Sequence, residues 1–156
     1  MSRPLLICFD DSEESRQAIA AAGRLFPGAR ATVLHLWWSL ESSRAYRYSL
    51  AGATGALSQQ LDELEAGGRE YAERTAEHGV ELAREAGLDA EALALEVEDE
   101  PYELVDQVAD DLDADVVIVG SRGLGPIQSM ALGGFSRAVV HHCRRPVLVV
   151  PGSRDD

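Results

Sequence analysis

The chain has 156 residues, with 14 Lys and Arg against 27 Asp and Glu, so its formal net charge is −13. That is the length of one domain, expected to span residues 1–156, and 46% hydrophobic residues supply its core without a disulfide or a metal. The acidic balance argues against nucleic acid and against an anionic membrane surface as partners, because affinity for both comes from Lys and Arg. All 14 basic residues are arginines, which excludes Schiff-base, P-loop and kinase-lysine chemistry together. Neither Cys8 nor Cys143 has a metal-ligand spacing, the N-terminus lacks a signal pattern, and no apolar run approaches 18 residues. A cytoplasmic protein with reduced thiols is the expectation.

The apolar run 5–9 predicts a strand, and Asp10-Asp11-Ser12 after it is a stop for the strand and an N-cap cluster for a helix over 13–26. In that helix Ala18, Ile19, Ala22 and Leu25 recur at helical spacing, and Pro27-Gly28 closes it. A second strand, 31–38, is rich in Thr, Val, Leu and Trp. Residues 39–55 show no sustained period and read as a mobile connection. A long helix is predicted over 57–86, with Leu61, Leu64, Tyr71, Ala72, Val80 and Leu82 on or near its inner face; Gly67-Gly68 weakens its middle and Gly87 caps it.

Alternation over 92–97 predicts a half-exposed edge strand, and Pro101 opens a helix that buries Leu104, Val105, Val108 and Leu112. The β-branched run 115–120 has the character of a strand covered on both faces. A glycine-rich loop, a helix over 134–143 and a strand over 146–150 complete the chain. Strict alternation of five strands with four helices predicts an α/β fold: an open five-stranded parallel sheet, order 3-2-1-4-5, Rossmann-like, with helices on both faces.

In such a sheet ligands bind beyond the carboxyl ends of the strands where strand order reverses, between the first strand and the fourth. Two strand ends stand out there: Phe9-Asp10-Asp11-Ser12, and Gly120-Ser121-Arg122-Gly123-Leu124-Gly125. The second begins like the dinucleotide fingerprint, but Gln128 stands where a third small residue is required. What remains is a set of glycines with Gly133-Gly134 immediately before a helix, whose N–H groups at Gly134, Phe135 and Ser136 suit an anion.

The spacing Gly120-x2-Gly123-x9-Gly133 resembles the signature of the universal stress protein family, whose nucleotide-binding members continue with Ser or Thr. Residues 6–15 and 145–150 resemble the family's first and last segments, so the likeness covers nearly the whole chain. It implies a homodimer paired through the last strand (Val147, Leu148, Val149, Val150) that binds ATP or another adenine nucleotide, with or without Mg²⁺; the loop spacing and the long unpatterned connection add the expectation that an unknown protein partner reads the bound state. It further implies that Asp10 lies near adenine and ribose, that Leu36 packs on the base, that Val119, Gly120, Arg122 and Gly123 line the ribose and phosphate path, and that Gly133, Gly134, Phe135 and Ser136 cradle the phosphates. Nucleotide would then order the glycine loop and the 39–55 connection.

The sequence departs from that pattern at Gly134, which lacks the expected hydroxyl, and over 126–130, which carries Gln128 and no cation. A lost hydrogen bond to a phosphate is worth about 1.5–3 kcal/mol, or one to two decades of affinity, which points to weak ATP binding or to a preference for AMP or ADP. A nucleotide-free member acting as a dimeric interaction module is the alternative; a slow nucleotide hydrolase and a flavodoxin-like FMN protein rank after it.

Plainer roles stand beside these. Asp10 also suits a turn and capping acid, Gly133-Gly134 a tight helix entry, and Arg122 a solvated surface. His141-His142-Cys143 lacks further ligands at metal spacing. No Gly-x-Ser-x-Gly elbow is present, and Asp110-Asp111 and Glu98-Asp99-Glu100 read as solvated charges, so a binding protein rather than an enzyme is expected.

Overall fold

The computed structural model describes residues 4–40, 55–121 and 132–152. Within them the chain alternates β1 (Leu5–Cys8), α1 (Glu13–Leu25), β2 (Arg30–Trp37), α2 (Gly55–Glu85), β3 (Asp89–Glu96), α3 (Pro101–Asp111), β4 (Val116–Gly120), α4 (Gly134–His142) and β5 (Val147–Val150). The strands form one parallel sheet in the order β3-β2-β1-β4-β5, as expected from the alternation. Residues 41–54, which hold most of the connection read as mobile, and 122–131, which hold most of the glycine loop, lie outside the described residues.

The sheet is covered on both sides because successive strand residues point to opposite faces. Leu5 and Ile7 of β1 join Val33 and Ile118 in a core under α1 and α2, which contribute Ala18, Ile19, Val80 and Ala83. Leu6 and Cys8 join Leu34, Leu36, Val117 and Val119 in a second core under α3 and α4, which contribute Val105, Val108 and Val139. β1 is central and all four of its residues are buried, hence its continuous apolar run.

Three expectations change. β3 begins at Asp89 rather than at residue 92, because its parallel register with β2 starts at Arg30↔Asp89, and its first residues alternate with Asp89 and Glu91 exposed and Ala90 buried. Leu64 and Tyr71 of α2 are 61% and 63% exposed rather than on the inner face. A 31-residue helix is about 46 Å long, far longer than the eight-residue β2 beneath it, so its first half runs past the end of the sheet. There Arg69 lies over the Trp37 ring, 5.7 Å from its centroid, and Glu65 accepts the Leu40 N–H at 2.8 Å.

Asp110 was expected to be a solvated charge. Instead it accepts from Arg145 Nε at 3.0 Å and also pairs with Arg144, while Asp106 accepts from Arg144 Nε at 3.0 Å. These pairs, and a stacked Tyr102–His142 contact at 4.4 Å, tie α3 to the end of α4.

Candidate functional site

β1 and β4 are neighbours whose following helices lie on opposite faces, so their carboxyl ends part and leave a crevice. The cleft there encloses about 390 Å³ out to its open mouth and has mainly apolar walls. Of the residues singled out in the sequence it brings together Asp10, Leu36, Val119, Gly120, Phe135 and Ser136. Gly133 and Gly134 stand at the entry to α4 beside it. Arg122 and Gly123 lie outside the described residues.

Cys8, Phe9, Ser15 and Leu34 complete the lining and were not foreseen. Cys8 and Leu34 could have been found from strand register, since period 2 places them on the face of Leu6 and Leu36. Burial, then the neighbouring Cys143 thiol and the Asp10 charge, push the Cys8 thiol up to about 12, so it is a neutral part of the wall.

Asp10 serves the turn as well as lining the cleft. Its Oδ1 accepts the Ser12 N–H at 3.0 Å and the Ser12 hydroxyl at 2.5 Å, while Ser12 Oγ caps α1 by accepting the Ser15 N–H at 3.2 Å. Asp11 takes the left-handed conformation, φ 64°, and Arg16 binds its carboxylate through Nε at 3.1 Å and Nη2 at 2.7 Å. Ser12→Ala removes the cap and the hydroxyl bond to Asp10 and leaves the backbone one; urea unfolding is expected to show a loss of about 1 kcal/mol.

α4 supplies the opposite character. The Gly133 N–H is taken by Ser121 O at 2.7 Å, and the first helical bond runs from the Arg137 N–H to Gly133 O at 2.9 Å. The amides of Gly134, Phe135 and Ser136 therefore have no acceptor within the helix and sit at the positive end of its dipole. Among the described residues, a Cβ at Gly134 would meet nothing within 4 Å. The Ser136 hydroxyl, 1% exposed, donates to Gly120 O at 2.5 Å, tying α4 to β4.

Gly120 is glycine for a reason the sequence did not show. A Cβ there would lie 2.8 Å from Glu14 Cβ and 2.9 Å from the Glu14 carbonyl carbon, so the missing side chain admits the first turn of α1.

An apolar slot with a carboxylate at one edge and three amides of a helix N-terminus at the other suits a flat, amphipathic, anionic ligand. Among the described residues no group of three or more His, Cys, Asp or Glu side chains could hold a metal ion, and none of the helices searched there is long and apolar enough to cross a membrane.

Sheet order and switch-point cleft define an open, doubly wound α/β protein of the Rossmann-like kind. The sequence profile of the universal stress protein family matches residues 1–151, and the chain belongs to that family. It is 30% identical over 152 residues to a universal stress protein of Thermus aquaticus, covering 96% of this chain and 99% of that one. Its fold is similar to that of the universal stress protein from Archaeoglobus fulgidus solved in complex with dAMP (TM-score 0.61, 20% identity, 95% and 97% of the two chains). It is likewise similar to a family member from Arabidopsis thaliana solved with AMP bound (TM-score 0.62, 18% identity, 99% and 94%).

Proposed function

We propose that the protein is a stress-response protein that binds an adenine nucleotide in the cleft between β1 and β4 and works by binding rather than by turnover. The observation that carries this reading is the pairing of an apolar slot, walled by Leu36, Val119 and Phe135, with the amides of Gly134, Phe135 and Ser136, to which the helix offers no acceptor. The base would occupy the slot, with Asp10 toward the ribose, and the phosphates would meet the amides. Relatives solved with dAMP and AMP support a monophosphate as the first ligand to test.

The carboxylate in the cleft, Asp10, already accepts two bonds from Ser12, and this donor set does not fit a divalent cation held by the protein alone. Homodimer formation through β5 is part of the proposal. β5 pairs with β4 on one side, and Val147, Leu148 and Val149 are only half-buried in the monomer, a sheet edge suited to a second copy.

Calorimetric titration with AMP, ADP and ATP is expected to show micromolar binding with AMP at least as tight as ATP. No heat, together with no nucleotide released from natively purified protein, would overturn the reading in favour of the nucleotide-free interaction module. Light scattering should report twice the chain mass.

A further inference from the structure

We infer that His35 is a positioning residue for the cleft: from behind the sheet it sets the peptide that carries Asp10. This rests on the nucleotide reading above only in what it says about affinity.

The β1–β2 ladder ends at the pair Cys8↔Leu34. One residue further on, Phe9 still donates its N–H to Leu34 O at 2.8 Å, and its carbonyl is met by a side chain, His35 Nδ1, at 2.8 Å. The imidazole thus takes over where the two strands part to open the cleft. A carbonyl can only accept, so Nδ1 carries the proton and the tautomer is defined by its partner.

His35 is buried, and period 2 places it with Ala31 and Val33 on the face opposite Leu34 and Leu36. It therefore acts from the face opposite the cleft wall, through the Phe9 peptide. That carbonyl belongs to the peptide group joining Phe9 to Asp10, so holding it fixes the plane from which Asp10 enters the cleft. The Phe9 ring cannot yield either. It is 2% exposed and packed so closely on α2 that a Cβ at Gly79 would lie 2.7 Å from it. Ring and carbonyl together leave the Phe9–Asp10 peptide one orientation. The other end of the same peptide, the Asp10 N–H, donates to Ser15 Oγ at 3.4 Å, a longer bond than the 2.8 Å contact of its carbonyl with His35.

Two substitutions separate positioning from packing. Asn carries an amide nitrogen at nearly the same distance from its Cα as Nδ1, whereas Leu fills more of the imidazole volume and has no donor. Both variants are expected to lose stability, so stability alone decides nothing. With AMP as the probe, His35→Asn is expected to bind within about threefold of the parent protein, and His35→Leu to bind about tenfold or more weakly. In the ligand-free protein, amide NMR shifts of Asp10 and Asp11 should move in His35→Leu and stay near their parent positions in His35→Asn. Long-range nitrogen–proton correlations should show the Nδ1-protonated ring.

Equal AMP affinity in both variants, unmoved Asp10 and Asp11 amides in His35→Leu, or a ring protonated only at Nε2 would each overturn the inference. If the parent protein binds no AMP, the nucleotide reading fails by itself, and the ligand-free shifts and the tautomer still decide the role of His35.

Discussion

Gly120→Val is expected to lower stability and abolish nucleotide affinity together, with the stability loss present before any ligand is added. The new Cβ would meet Glu14 Cβ at 2.8 Å, its carbonyl carbon at 2.9 Å and its carbonyl oxygen at 3.0 Å. Two of those atoms are helix backbone and the third is fixed to it, so α1 itself has to move. Overpacking of this kind costs about 1–3 kcal/mol, and a domain of this size loses roughly 2–4 °C of Tm per kcal/mol. Because Ser12 and Ser15 at the start of α1 organise the Asp10 turn, the displacement reaches the cleft mouth. Gly120→Ala should show the same loss in smaller measure. Scanning calorimetry of the ligand-free variants decides the matter: an unchanged Tm would mean that Gly120 is glycine only for the ligand.

The second large effect is a steep fall in stability at alkaline pH that depends on one thiol. Burial raises the Cys8 thiol from an ordinary 9.0 to about 12 in the folded protein. The folded state therefore keeps this proton more tightly than the unfolded chain. The stabilisation is fully present below pH 9 and is lost as pH rises from about 9 to about 12, at a slope of about 1.4 kcal/mol per pH unit. With all 14 basic residues arginine, no lysine titrates in that window, and the two cysteines and four tyrosines dominate it. Cys143 and Tyr102 are also pushed up, both chiefly by loss of water, so the comparison that isolates Cys8 is the parent against Cys8→Ala. Urea unfolding at pH 8.5, 9.5 and 10.5 should show the gap between them narrowing as pH rises. Parallel curves would mean that Cys8 is not the buried thiol described.

Much of the architecture was legible because its signals are local. The β-branched run before Gly120, the Asp-Asp-Ser stop after Phe9 and the Pro101 helix start each report their own backbone. Strict alternation then leaves few topologies. The failures are equally local in origin. Leu64 and Tyr71 have the helical spacing of a buried stripe, but spacing cannot tell that α2 outruns the sheet it covers. The first residues of β3 are acidic because an edge strand needs no second covered face.

The site divides in the same way. Asp10, Leu36, Val119, Gly120, Phe135 and Ser136 were identified from strand ends, a helix start and the family likeness, and they meet in one cleft. Their tasks there could not be read from the chain. Gly120 makes room for Glu14, Ser136 ties α4 to Gly120, and His35 reaches a carbonyl 26 residues earlier in the chain. By itself the sequence determined the order of elements, the family and the two strand ends that face the crevice, since each is written in neighbouring residues. Only the tertiary structure decided which atoms those residues touch. Close approach between elements depends on the sum of packing across both faces of the sheet, and that sum has no local trace in the chain.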